Sequence, residues 1–143
     1  MKNDNVINVN DANVPYRRPA IIVELLGTTL NEDMTPNKPI IEIIQNYYFY
    51  TLTEIIFICN AATEYESTMI DWIHENIFLS VEDISFIKIL SSVATDNQKV
   101  NVYKEVIEPK YSIVSVLVGR QDSKKVWNDL GLFVIDCEQR KFN

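Results

Sequence analysis

The sequence predicts a three-layer α/β domain built on a central parallel sheet of about five strands. Three observations lead to this prediction. Short apolar runs of strand length recur along the 143-residue chain, segments with the apolar spacing of helices separate them, and the runs are apolar on both faces. Strands buried on both faces are typical of parallel sheets that helices cover on each side. We expect right-handed crossovers between them.

The strands are the apolar runs between turn-forming or polar segments. We predict them at residues 20–26, 53–59, 84–90, 111–118 and 132–137. The first run ends at Gly27, and the fourth, from Tyr111 to Val118, is rich in the β-branched residues that favour strands. The alternation of these runs with helical segments is what favours parallel over antiparallel pairing.

Four helices are predicted between the strands, over residues 37–48, 65–77, 98–108 and 122–130. Pro39 falls in the first turn of the first helix, where its missing N–H costs little. Thr63 and Glu66 form a capping box at the start of the second helix. Asp122 is placed to cap the last helix, and Gly131 to follow its end as the C′ residue.

The composition divides the chain into two segments. Residues 1–18 are rich in Asn and Asp and are predicted to be a flexible polar arm. They hold no apolar run of the kind that a secretory signal needs, so we expect no such signal. Residues 19–143 are predicted to be one α/β domain, the expected number for this length. The chain has no apolar stretch of the roughly 20 residues that span a bilayer, so we expect an intracellular, cytoplasmic protein with no membrane partner.

The composition also excludes several kinds of site. Thirteen basic residues against twenty acidic ones give a formal net charge of −7, which repels phosphate backbones, so we expect no nucleic-acid partner. The three glycines are too scattered for the glycine-rich loops that bind nucleotides. A single histidine, His74, leaves no His pair for zinc. The two cysteines, Cys59 and Cys137, are predicted to be small buried residues.

Ligands of open parallel sheets bind beyond the carboxyl ends of the strands. In this sequence those ends are residues 24–28, 59–61 and 118–120, which read ELLGT, CNA and VGR. We expect any catalytic or binding site to be built from these segments.

Longer segments around the strand ends resemble a known family. Residues 22–30 read IVELLGTTL, residues 58–65 ICNAATEY and residues 110–120 KYSIVSVLVGR, with Trp127 and Gly131 beyond. They are similar to D-x-D-G-T, L-[TS]-G-R-x-x-x-Y and K-Y-D-V-x-x-V-x-D-D-R. These are motifs of the haloacid dehalogenase-like phosphatases, in the form found in the 3′-phosphatase domain of phage polynucleotide kinases. The resemblance covers about residues 19–136 and implies a Rossmann-like, three-layer fold.

The chemistry of that family needs residues that this sequence lacks. In the family one Asp attacks phosphorus, a second moves the proton, and further carboxylates help to hold Mg²⁺. Glu24 and Leu26 stand at the first two positions, Val118 and Gly119 replace the paired aspartates, and Cys59 stands where the second motif has Ser or Thr. Aliphatic side chains neither move protons nor bind hard cations. The resemblance therefore implies a pseudoenzyme with no catalytic residue, no metal and no cofactor.

Three polar residues of the family pattern survive. Thr28, Lys99 and Arg120 are candidate anion-binding residues, with Lys104 as a competing assignment for the lysine. Plainer interpretations exist for Arg120, for the two lysines and for Glu24. Arg120 pairs with a carboxylate, both lysines are solvated residues on a helix, and Glu24 pairs with a base or caps a helix.

Three functional hypotheses follow. The favoured one is a catalytically inactive, phosphatase-like protein that acts through contact with a protein partner or a second copy of itself. The resemblance adds the expectation of a viral or phage accessory factor. An acidic surface suits a basic partner, and part of the aromatic run at residues 47–50 is a candidate interface. The alternatives are a nucleotide- or phosphate-binding module with a weak anion pocket, and a residual polynucleotide 3′-phosphatase.

Overall fold

A computed structural model of the chain describes residues 16–31, 33, 35–59, 66–89 and 95–138. Within these residues, five strands form one sheet: β1 (Arg18–Glu24), β2 (Glu54–Cys59), β3 (Ser85–Lys88), β4 (Tyr111–Val118) and β5 (Val134–Asp136). Their order across the sheet is β3-β2-β1-β4-β5, and every pairing is parallel. The predicted parallel sheet is confirmed.

Helices connect the strands. The structure describes α1 (Lys38–Thr51), α2 (Glu66–Ile77), α3 (Thr95–Val102) and α4 (Gln121–Asp129). A 3-10 turn at Val81–Asp83 precedes β3, and α3 continues into a π-helical turn at Tyr103–Ile107. Pro39 lies in the first turn of α1, as predicted. In the described part of the chain no helix is both long enough and apolar enough to cross a membrane.

The sheet separates two apolar cores. Alternate residues of β1 face opposite sides, so that Ile21 and Val23 belong to one core while Ala20 and Ile22 belong to the other. The first core contains the buried side chains of α1 and α2, which are Ile41, Ile44, Met69, Ile73 and Ile77. The second contains Tyr103, Ile107 and Trp127 from the π-helical turn and α4. This is the predicted three-layer α/β arrangement.

Some predicted boundaries change. The first strand begins at Arg18 and ends at Glu24, because Leu25 already belongs to a turn. The prediction that Asp122 caps the last helix is wrong. The loop after β4 is so short that α4 begins at Gln121 with Arg120 as its N-cap residue, which places Asp122 inside the first turn. The predicted arm up to residue 15 and the capping Thr63 lie outside the described residues.

Gly131 follows the end of α4 as predicted. Its φ of +82° lies in the left-handed region, where glycine is free of the strain that a Cβ atom brings. The chain can therefore turn directly from α4 into β5, which brings β5 alongside β4 at the edge of the sheet.

Candidate functional site

The carboxyl ends of β1, β2 and β4 lie side by side. Glu24 is in register with Ile58 of β2, and Val23 with Leu117 of β4. After β1 the chain enters a tight turn, in which the carbonyl oxygen of Leu25 accepts the backbone N–H groups of residues 28, 29 and 30 at 3.2–3.4 Å. The strand ends singled out in the sequence thus meet at one edge of the sheet, which we call the carboxyl edge.

Glu24 forms a buried ion pair at the carboxyl edge. Its Oε2 lies 2.9 Å from Nζ of Lys99 and accepts a hydrogen bond of 2.7 Å from Nε1 of Trp127. Lys99 Nζ also donates to Oγ of Ser123 at 2.8 Å. Only 6% of Glu24 and 3% of Lys99 is exposed. Buried charges persist where they are paired and hydrogen-bonded, and these four side chains, here called the Glu24 network, meet that condition.

The Glu24 network tests three of the interpretations made from the sequence. The pairing of Glu24 with a base is confirmed. The interpretation of Lys99 as a solvated helix residue is wrong, because the lysine stem can be buried where its ammonium group reaches a carboxylate. Lys104 is exposed, as expected. Sequence reasoning missed Ser123 and Trp127 as partners of the pair. The tryptophan was visible as part of the family pattern, whereas nothing in the sequence singles out the serine.

Gly119 lies directly against the turn that follows β1. A Cβ atom added to Gly119 would stand 1.8 Å from the carbonyl oxygen of Gly27 and 2.8 Å from its carbonyl carbon. Gly27 itself has a φ of +80°, and a Cβ atom there would stand 3.1 Å from Cγ of Arg120. Backbone therefore fills the space beside residue 119, and no side chain fits there without movement of the main chain.

Thr28 ties the same two segments together. Its Oγ1 accepts a hydrogen bond of 2.9 Å from the backbone N–H of Gly119, and its carbonyl oxygen accepts one of 2.9 Å from Nδ2 of Asn37. Thr28 and Val118 are completely buried, and Leu26 packs against the first core. These contacts hold the turn after β1 against the end of β4.

The Cys59 thiol is also withdrawn from solvent. Cys59 is 1% exposed at the end of β2, and Cys137, which follows β5, is 4% exposed. Burial raises the pKa of each thiol to about 11. The thiol rather than the nucleophilic thiolate is therefore the form present at neutral pH. The prediction that both cysteines are small buried residues is confirmed.

The three candidate anion-binding residues differ in their access to solvent. Thr28 and Lys99 are buried, and their polar atoms are engaged within the chain, whereas Arg120 is exposed. The expected carboxylate partner of Arg120 is not found among residues 16–31, 33, 35–59, 66–89 and 95–138. The same ranges contain no group of three or more His, Cys, Asp or Glu residues placed to hold a metal ion.

Architecture and strand order define the chain as a three-layer α/β domain with a Rossmann-like parallel sheet. No protein-family model matches the sequence, and no curated protein matches it at a significant level. The resemblance of its motifs to the haloacid dehalogenase-like phosphatases stays a prediction.

Solved structures with the same fold do match. One is a chain of the "Structure of the Pnkp1/Rnl/Hen1 RNA repair complex", with a TM-score of 0.74 and 16% sequence identity over 88% of this chain and 44% of that one. Another is a chain of the "Structure of Pnkp1/Rnl/Hen1 complex", with a TM-score of 0.73 and 18% identity over 88% and 48%. This chain thus spans less than half the length of either match, and the similarity shows the fold.

Proposed function

We propose that this chain is a phosphatase-like protein without phosphatase activity, which acts by contact with another protein. The observation that carries the proposal is the close backbone contact at the carboxyl edge, where Gly27 occupies the space beside Gly119. A metal-dependent phosphatase needs a free nucleophile and oxygen ligands for the cation in that place. The only carboxylate at the nucleophile position, Glu24, is held by Lys99.

Two further observations support contact with a protein. The matching solved structures belong to an assembly whose name joins three components, so a domain of this fold occurs within a protein complex. The net charge of −7 disfavours a nucleic acid as the partner. Lys124 and Lys125, the clustered bases near the end of the sheet, lie 2.8 Å and 2.6 Å from the carboxylates of Asp136 and Asp129.

A phosphatase assay tests the absence of activity. The full chain is incubated with Mg²⁺ and a 3′-phosphorylated oligonucleotide, and phosphate release is compared with that of an active phosphatase and of buffer. We expect release at the level of buffer, both for the chain and for the Glu24→Gln variant. Mg²⁺-dependent release that Glu24→Gln abolishes would contradict the proposal and restore the residual 3′-phosphatase.

The anion-binding alternative has weaker support, because only Arg120 of its three residues faces solvent. Thermal unfolding with inorganic phosphate and with nucleotides tests it. A ligand at 100 times its Kd adds about 2.7 kcal/mol of stability, which shifts the midpoint by several degrees. We expect no shift. A shift that disappears in the Arg120→Ala variant would favour the anion pocket instead.

A further inference from the structure

A groove of about 740 Å³ opens at the amino ends of the strands, opposite the carboxyl edge. It is lined by the first residues of four strands, which are Arg18, Glu54, Ser85 and Tyr111, and by the end of α1 and the turn before β3. These strand starts define what we call the amino edge, opposite the Glu24 network. The groove is therefore separate from the place where α/β enzymes bind their substrates.

Large apolar side chains are exposed where α1 reaches this groove. Phe49 and Leu52 line it and are 51% and 84% exposed, and the neighbouring Tyr50 is 82% exposed. Leu52 ends α1 with a φ of +54°, a left-handed conformation that suits glycine better than a bulky residue. Neither burial nor backbone geometry calls for leucine at this position, so its side chain is available for contact with another molecule.

The groove also carries an excess of negative charge. Glu82 and Asp83 lie on the turn that lines it, and neither pairs with a basic side chain in the part of the chain that the structure describes. Asp83 accepts a hydrogen bond from the Tyr48 hydroxyl. Glu54 lies 2.9 Å from Nε of Arg18. Three carboxylates against one guanidinium leave an acidic groove bordered by aromatic rings, which attracts a cation both by its charge and by cation–π contact.

We propose that this groove is the docking surface for a segment of a partner protein in which a lysine or arginine is flanked by large apolar side chains. The proposal deepens the proposed function and rests on it. The cation would meet the carboxylates of Glu82 and Asp83, and its apolar neighbours would pack on Phe49 and Leu52. A second copy of the chain fits less well, because it brings the same acidic groove and the same net charge of −7.

Selection of peptides tests the proposal. A random peptide library is selected against the full chain, and the enriched peptides are synthesised with a fluorescent label. Their Kd is measured by fluorescence polarisation for the wild type and for Leu52→Gly and Glu82→Lys. We expect enriched peptides to contain Lys or Arg next to aromatic or branched aliphatic residues. We expect each variant to raise the Kd about tenfold or more, as loss of a central contact does.

Two matched variants serve as controls. Phe78 has the same left-handed backbone as Leu52, with a φ of +67° and 68% exposure, but does not line the groove. Phe78→Gly therefore makes the same backbone change away from the contact. Glu105→Lys makes the same charge change as Glu82→Lys on the exposed side of the π-helical turn. Both controls should bind the peptides like the wild type, and circular dichroism should show all four variants folded.

Several outcomes would overturn the docking proposal. One is enrichment of peptides that contain no basic residue. Another is a Kd that neither Leu52→Gly nor Glu82→Lys changes. A third is displacement of the selected peptides by a peptide of residues 1–15. In sedimentation experiments, a dimer that Leu52→Gly dissociates would assign the groove to a second copy instead. The phosphatase assay is a separate measurement. If the peptide experiments contradict the docking surface but the chain releases no phosphate, the proposed function is unaffected. Phosphate release would contradict the proposed function itself.

Discussion

The two edges of the sheet differ in what they leave open to solvent. At the carboxyl edge, Gly119 lies against Gly27, and the charges of Glu24 and Lys99 satisfy each other inside the protein. At the amino edge, Leu52 stands exposed beside a groove in which Glu82 and Asp83 pair with no basic side chain of the described residues. Open α/β sheets ordinarily bind ligands at the carboxyl edge. At the end of the sheet where a ligand is ordinarily bound, this chain instead has a close backbone contact and a buried ion pair.

The largest effect should come from breaking the ion pair at the carboxyl edge. Lys99→Met leaves the Glu24 carboxylate buried without its cation, and we expect a loss of about 3–5 kcal/mol in the free energy of unfolding. Urea unfolding followed by circular dichroism measures it. Lys104→Met is the matched control, because Lys104 is exposed a short distance along the same helical segment and should change stability by less than about 0.5 kcal/mol.

A double variant separates the ion pair from the packing around it. Glu24→Gln combined with Lys99→Met removes both charges and keeps a side-chain oxygen for the Trp127 N–H. We expect the double variant to be more stable than Lys99→Met alone, because no unpaired charge remains in the interior. Equal stability of Lys99→Met and wild type would mean that the carboxyl edge is hydrated rather than closed.

The second largest effect should come from residue 119. Gly119→Ala places a methyl group 1.8 Å from the Gly27 carbonyl oxygen, so the two backbone segments must separate. We expect a loss of about 3 kcal/mol in the free energy of unfolding. A Cβ atom at Gly131 meets nothing within 4 Å, so Gly131→Ala should lose only about 1 kcal/mol through its left-handed backbone. Equal losses would show that the segments after β1 and β4 are not in tight contact.

The fold could be predicted from the sequence because the patterns that indicate strands and helices are local. The strand Tyr111–Val118 was predicted to the residue, since its β-branched run is bounded by polar residues and then glycine. The N-cap residue of α4 was predicted wrongly. Asp122 is a good capping residue in general, and only the short loop after β4 makes Arg120 the N-cap residue instead. Local chemistry thus gave the elements, and tertiary geometry set their ends.

The candidate site could be predicted from the sequence only in part. The motif resemblance drew attention to Glu24 and Gly119, but the sequence could not show that the backbone of Gly27 lies directly against Gly119. Contacts such as that of Lys99 with Ser123 join residues of different helices, 24 positions apart in the sequence, and no pattern within either helix encodes them. The Leu52 conformation was missed for a related reason, since a left-handed leucine has no sequence signal comparable to glycine.

A rise in pH should destabilise the protein through its two buried thiols. Burial raises the pKa of Cys59 and Cys137 from 9.0 to about 11, so the folded state holds both protons more tightly than the unfolded chain. Their contribution to stability is therefore complete below pH 9 and is lost as the pH rises from about 9 through 11. Urea unfolding at pH 8, 9 and 10 should show a steeper fall for the wild type than for the Cys59→Ala, Cys137→Ala double variant. Parallel curves would mean that the thiols are hydrated.

The smallest effect, and one of opposite sign, should come from the amino edge. Leu52→Gly removes the strain of a left-handed bulky residue and loses little burial, since the side chain is 84% exposed. We expect unfolding to require about 1 kcal/mol more free energy. Leu52→Ala keeps the strained Cβ atom and should match the wild type. Because urea unfolding compares all three, a destabilised glycine variant would show that Leu52 supports the core. The exposed surface at the amino edge would then be part of the fold rather than free for a partner.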